Sequence, residues 1–160
     1  MIESFSIAVR LLSIQNDKIA NSMLEEYGMT NGQFKVLNLL YARPAFSLRQ
    51  VDIEEFFQIS NPTVTVILNS LEKKGLVERR VNPSDSRSKL IGVTEKAEEM
   101  REQMHAVEKS LSGRLDEILS PEEKTQLMAL LNRVIEGILS PGELYRYREP
   151  EEMKTGKGQR

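Results

Sequence analysis

Residues 59–93 read ISNPTVTVILNSLEKKGLVERRVNPSDSRSKLIGV, and this run decides the fold. Ile59-Ser60-Asn61-Pro62 is a turn leading into a helix. Ser60 or Asn61 can accept from a free backbone N–H, and Pro62 is tolerated in the first turn, where its missing N–H leaves no gap. Val64, Ile67, Leu68 and Leu71 follow at helical spacing and form one apolar stripe. The spacing predicts a helix as far as Lys74, with Gly75 at the position that favours a left-handed stop. Leu76 to Val81 has strand character, Asn82-Pro83-Ser84-Asp85-Ser86 is a cluster of turn residues, and Lys89 to Val93 reads as a returning strand. The prediction is a helix followed by a β-hairpin with a long tip.

Outward from this core, helical signals dominate. Ser47-Leu48-Arg49-Gln50 resembles a capping sequence and predicts a short helix through Leu48, Val51, Ile53, Phe56 and Phe57. Thr30-Asn31-Gly32-Gln33 is a capping-box pattern opening a helix through Phe34, Leu37, Leu40 and Tyr41, with a stop near Pro44. Residues 4–27 carry Phe5, Val9, Leu12, Ile19, Met23 and Tyr27 and predict a long amphipathic helix ending at Gly28. On the other side, Thr94 caps a predicted helix of about residues 95–119, on the order of 38 Å long. Ser120-Pro121-Glu122-Glu123 and Ser140-Pro141-Gly142-Glu143 each start a further helix, the second reaching about Tyr147. From Glu149 onward the only apolar side chain is Met153, and a disordered tail is expected over 148–160. The order is helix, helix, short helix, helix, hairpin, long helix, helix. The predicted fold class is mainly α with a small β-hairpin wing, a winged helix-turn-helix between outer helical regions.

Composition narrows the function. The chain has 160 residues with a formal net charge of −2, 29% charged and 39% apolar residues. That is ordinary globular composition. There is no cysteine and a single histidine, His105. Disulfides, a thiol switch and Cys-based metal sites are excluded, and a His-based metal site or a Ser-His triad is hard to assemble. No phosphate loop, nucleophile elbow or metal spacing occurs, so no catalytic residue, metal or cofactor is expected. No apolar run reaches the roughly 18 residues of a membrane span. The opening residues lack a signal-peptide pattern, so a cytoplasmic, nucleoid-associated protein is expected. Charge is uneven: residues 61–90 hold 6 basic and 3 acidic side chains, whereas residues 91–136 hold 6 and 10. The basic segment is the one that carries the helix and hairpin described above, and local charge governs phosphate contacts.

On the helix opened by Pro62, the residues Asn61, Thr63, Thr65, Asn69 and Lys73 lie largely off the apolar stripe, and Val66 faces outward. Small hydroxyl and amide groups can approach base edges and phosphates, and Val66 can meet a thymine methyl. Arg79 and Arg80 close the first strand of the hairpin, and Arg87 and Lys89 open the second. Asp85 stands two residues before Arg87 and can hold it in shape. An arginine at a hairpin tip suits a narrow, electronegative minor groove.

Met29 to Ala97 resembles the MarR family of winged-helix regulators. The resemblance rests on Thr30-x-x-Gln33-Phe34, Ile59 to Thr65, Leu71-Glu72-Lys73-Lys74-Gly75-Leu76-Val77-Glu78-Arg79, and Asp85-x-Arg87 followed by Val93-Thr94. It implies a homodimer on a pseudo-palindromic operator, usually a repressor released by a small lipophilic or aromatic effector. It implies major-groove roles for Asn61, Thr63, Thr65 and Asn69, a wing-tip contact for Arg87 and an orienting role for Asp85. The sequence departs from the family pattern at Val66 and Ser70, and at Ala97 and Val93. A winged helix needs only residues 30–93. The flanking regions 1–29 and 94–147 carry more apolar surface than one such unit covers, and the resemblance assigns them to dimerisation. Phe5, Leu12, Leu127, Leu131, Val134, Ile138 and Tyr145 are the predicted interface residues. Met23, Met29, Met100 and Met104 could line an effector pocket, although methionines at helical spacing are more often core, and no effector residue is assigned. A winged-helix protein-interaction module without DNA binding is the alternative, favoured by the acidic balance and the sparse charge on the outward helix face.

Overall fold

A computed structural model describes residues 2–147, with side chains through Leu144. The predicted tail at 148–160 lies outside the described residues, as does the side chain of Tyr145.

Helix α1 (Phe5–Leu24) begins at Ser4, whose Oγ accepts from the Ile7 N–H at 3.5 Å. A 3₁₀ turn (Glu25–Tyr27) follows, and the chain reverses at Gly28, whose φ of 59° suits a residue without Cβ. Helix α2 (Asn31–Tyr41) has the reciprocal cap that its sequence predicts: Gln33 N–H donates to Thr30 Oγ1 and Thr30 N–H donates to Gln33 Oε1, each at 3.3 Å.

The next start differs from the expectation. Leu48 and Arg49 are not helical; they form strand β1 (Leu48–Arg49), and helix α3 (Gln50–Phe57) begins after them. Ser47 donates to the Pro44 carbonyl at 2.7 Å instead of capping a helix. The cap moves two residues on: Asp52 accepts from the Arg49 N–H at 2.7 Å, and its carboxylate also holds the Arg49 guanidinium at 2.8 Å. Burial works against the charge on Asp52, but the hydrogen bonds from Arg49 outweigh it and keep the carboxyl below the usual aspartate range.

Helix α4 (Asn61–Lys73) runs as predicted, with Pro62 in its first turn and Gly75 at φ 71° past its end. Strands β2 (Val77–Asn82) and β3 (Asp85–Val93) pair antiparallel with Val77 opposite Val93 and Asn82 opposite Asp85. The predicted long tip is therefore corrected to a short one, Pro83-Ser84. Asn82 closes it, its Oδ1 accepting from the Ser84 N–H and its Nδ2 donating to Ser88, both at 3.0 Å. Strand β1 adds to the other edge of β3, giving the order β1-β3-β2.

Thr94 caps the next helix, as expected, but that helix is interrupted. Helix α5 (Glu95–Glu99) and helix α6 (Arg101–Gly113) meet at Met100, where ψ flattens to −5°, and the last turn (Arg114–Glu117) is 3₁₀. Helix α7 (Pro121–Ile138) opens on a full capping box between Ser120 and Glu123, and helix α8 (Pro141–Tyr147) follows Ser140, which exchanges hydrogen bonds with Glu143.

One core unites these parts. Phe34, Leu37, Ile53, Leu68, Leu71 and Ile91 lie at its centre, and Leu24 of α1 and Met104 of α6 close it from the outer side. Hydrophobic burial of about 25 cal/mol per Å² is the main stabilising term here. Helix α7, by contrast, buries no side chain.

A polar junction fixes α4 to this frame. The Gln33 amide is buried; its Nε2 donates to Ser70 Oγ at 2.9 Å, and its Oε1 accepts from Lys74 Nζ at 2.7 Å. Lys74 also donates to the carbonyl of Gly28. The end of α4 is thus tied both to the start of α2 and to the turn after α1.

Candidate nucleic-acid interface

Helix α4 buries Val64, Leu68 and Leu71 and turns its other face outward. Asn61, Thr63, Val66, Asn69 and Lys73 are exposed, and Thr65 is half-buried. Val66 is 69% exposed, large for a valine beside a packed core. Its departure from the family pattern thus leaves an apolar methyl pair on the outer surface.

These side chains are not equally available. Arg79 is only 19% exposed; it pairs with Glu72 and donates to Asn69 Oδ1 at 2.9 Å. It acts as a strut between β2 and α4 and ties down Asn69. Arg80 donates to Glu78 at 2.6 Å and lies over the Phe46 ring, 3.8 Å from its centroid. Lys73 and Lys89 are exposed with no ion pair among the described residues. At the hairpin tip, Asp85 Oδ1 accepts from the Arg87 N–H at 3.1 Å and lies 3.4 Å from its Nε. The Arg87 side chain is 92% exposed. Asp85 therefore shapes the backbone under Arg87 and leaves the guanidinium in solvent.

Sequence reasoning passed over the neighbouring helix. Gln50 and Glu54, one turn apart on α3, face Asn61 and Thr65, one turn apart on α4. Asn61 Nδ2 donates to Glu54 Oε1 at 2.6 Å, Gln50 Nε2 donates to the same oxygen at 3.1 Å, and Gln50 Nε2 also donates to Thr65 Oγ1 at 2.8 Å. The matching spacing of the two pairs was the available signal.

The predicted interface residues divide by exposure. Phe5 is 59%, Leu12 71%, Val134 39% and Ile138 71% exposed, while Leu127 and Leu131 are half-buried. Ile7, Val9, Leu11, Met128, Leu130 and Ile135 are also exposed on α1 and α7. These apolar side chains are exposed on two separate helices, α1 and α7.

The four methionines belong to the core and its edge, the reading their helical spacing favours. Met29 and Met104 are buried in the core, and Met23 and Met100 pack against it, because flexible side chains fill its irregular edge. A cleft of about 900 Å³ opens instead between α2, α3 and α6, with Lys35, Tyr41, Phe56, Phe57, Arg101 and His105 on its walls. Tyr41 donates to the Ala97 carbonyl there; burial, with Glu98 adding to it against Arg101, pushes its hydroxyl up to about 12. Among the described residues no cluster suits a metal ion, and no helix is long and apolar enough to cross a membrane.

Comparison with known proteins follows the same lines. The profile of the MarR family matches residues 29–89. The chain is 31% identical over 134 residues to the uncharacterised HTH-type transcriptional regulator YkoM of Bacillus subtilis, covering 84% of this chain and 83% of that one. It is 30% identical over 128 residues to the multiple antibiotic resistance protein MarR of Escherichia coli, covering 79% and 88%. Among solved structures it superposes on the Staphylococcus aureus MepR–DNA complex with a TM-score of 0.77 at 31% identity, over 86% of this chain and all of that one. A mutant of E. coli MarR complexed with operator DNA gives 0.72 at 28% identity, over 81% and 91%.

Proposed function

The chain belongs to the MarR family of DNA-binding transcription regulators, and from that premise we propose that it is a homodimeric, cytoplasmic repressor of a pseudo-palindromic operator. In this reading residues 30–93 form the reading head, while 1–29 and 94–147 join two copies. Helix α4 enters the major groove, with Asn61, Thr63, Thr65, Val66, Asn69 and Lys73 toward it. The hairpin reaches the flanking minor groove with Arg87, supported by Asp85, Arg79, Arg80 and Lys89. Two-fold symmetry sets the paired helices about 34–36 Å apart, one turn of the duplex. The observation that carries the reading is the nearly fully exposed Arg87 at a short tip, beside a helix with an apolar inner and a polar outer face.

The exposed apolar side chains of α1 and α7 support the dimer. The 900 Å³ cleft supports a small effector. Its aromatic walls suit a lipophilic or aromatic molecule; Lys35 and Arg101 are already paired with Asp17 and Glu98, and Glu102 and Glu108 share the lining, so the cleft selects no charge. Its place between the head and the outer helices suits a molecule that changes their angle.

Salt titration of duplex binding tests the proposal. Affinity falls with salt, log K dropping by about 0.9 per phosphate contact per log unit. Arg87→Ala weakens duplex binding and leaves the dimer intact. No duplex binding at low salt rejects the regulator in favour of an interaction module, and unchanged affinity in Arg87→Ala removes the wing from the mechanism.

A further inference from the structure

The ladder of Gln50, Glu54, Asn61 and Thr65 has a consequence for base selection. Donors and acceptors in it are not interchangeable. A carboxylate accepts only, so the Asn61 side chain must present its amide nitrogen to Glu54. The reversed amide would set two acceptor oxygens 2.6 Å apart, which is repulsive. Asn61 Oδ1 is thereby turned away from Glu54. On the neighbouring rung both hydrogens of Gln50 Nε2 are spent, one on Glu54 and one on Thr65 Oγ1. The Thr65 hydroxyl accepts there and keeps its own proton to donate.

We infer that Glu54, acting through Asn61, is a specificity-determining positioning residue: it orients the Asn61 amide so that its carbonyl oxygen selects a base carrying an exocyclic amine in the major groove. Only adenine and cytosine carry that amine there; guanine and thymine present a carbonyl oxygen at the equivalent place. Glu54 touches no base in this arrangement. It sits on α3, at the seam between the two helices of the reading head, and its charge would be repelled by phosphate. Its value lies in fixing the polarity of a neighbour. Without it the exposed Asn61 amide rotates freely and offers either end, so amino and keto bases become equivalent.

The inference rests on the DNA-binding reading above, and its test separates the two. The full chain and two variants select sites from a duplex library randomised around the preferred sequence. The unsubstituted chain prefers adenine or cytosine over guanine or thymine at one position in each half-site. Glu54→Ala lowers that preference by about fivefold or more at that position alone, the scale on which a side-chain-to-base pairing discriminates. Affinity for non-selected duplex does not fall, since a negative charge has been removed. Glu54→Gln, of the same shape, retains the fold and an acceptor but adds a competing donor, and gives an intermediate preference. Unchanged profiles in both variants overturn the inference, and so does an equal loss at every position, which marks a merely structural role. An unsubstituted chain that selects nothing refutes the DNA-binding reading itself, and this inference with it.

Discussion

Gly92 offers a measurement in which two known effects oppose each other. It is buried in β3, directly opposite Glu78, and its backbone lies outside the left-handed region, so alanine fits the local conformation. Relief of backbone entropy alone favours Gly92→Ala by about 0.5–1 kcal/mol. The new Cβ, however, falls 2.6 Å from both Cε1 and Cζ of Phe46 and 2.9 Å from its Cδ1. Carbon contacts settle near 3.5 Å, so the ring must retreat by about 1 Å. It has little freedom: Phe46 is held at φ 53° and carries the Arg80 guanidinium on its face. Overpacking of this kind costs about 1–3 kcal/mol, and losing the cation–ring contact adds about 0.5–1 kcal/mol. The clash wins, with a net loss of about 2 kcal/mol. Thermal and urea unfolding of Gly92→Ala then shows a lower midpoint, by about 4–8 °C in the thermal case. The decisive arm repeats the substitution in a Phe46→Ala background, where the obstacle is gone and the same change becomes neutral or stabilising. An equal penalty in both backgrounds would refute the packing argument.

Other perturbations probe separate parts. Deleting residues 120–147 gives monomers that bind a half-site poorly, checked by sedimentation; a truncated chain that stays dimeric moves the interface elsewhere. Tyr41 is held protonated well above its ordinary value, up to about 12, so its contribution is intact below pH 10 and disappears as pH rises toward 12. In Tyr41→Phe the alkaline decline in unfolding free energy over that window flattens. Asp52 has the opposite sign: its folded carboxyl lies below the aspartate range, so its contribution is present at neutral pH and is lost as pH falls from the unfolded value through the folded one. Asp52→Asn costs about 0.5–1 kcal/mol at neutral pH and removes that acid limb from the stability profile.

Local signals were legible and distant ones were not. The caps at Thr30, Thr94 and Ser120 are each written within four residues, because a hydroxyl reaches only the next turn. The stripe Val64, Leu68, Leu71 was legible for the same reason. Strand β1 was not: two residues cannot alternate, and Leu48 and Arg49 are extended only because β3 has an open edge beside them. Asp85 and Ser86 read as part of the turn, yet pairing of Asp85 with Asn82 recruits them into the hairpin. Gln33 was readable as half of a cap, but its second partner, Ser70, lies on another helix. The candidate site follows this pattern. Asn61 and Thr65 stood out by type and spacing, whereas the restraint on them from Glu54 and Gln50 exists only after α3 and α4 pack.

Lys74 stands at the meeting point of three parts of the chain, at the end of α4. Its ammonium grips the Gly28 carbonyl in the turn after α1 and Gln33 at the root of α2. One ammonium thus serves two joints, and a side chain without it would leave both the Gly28 carbonyl and the Gln33 amide oxygen short of their shared donor.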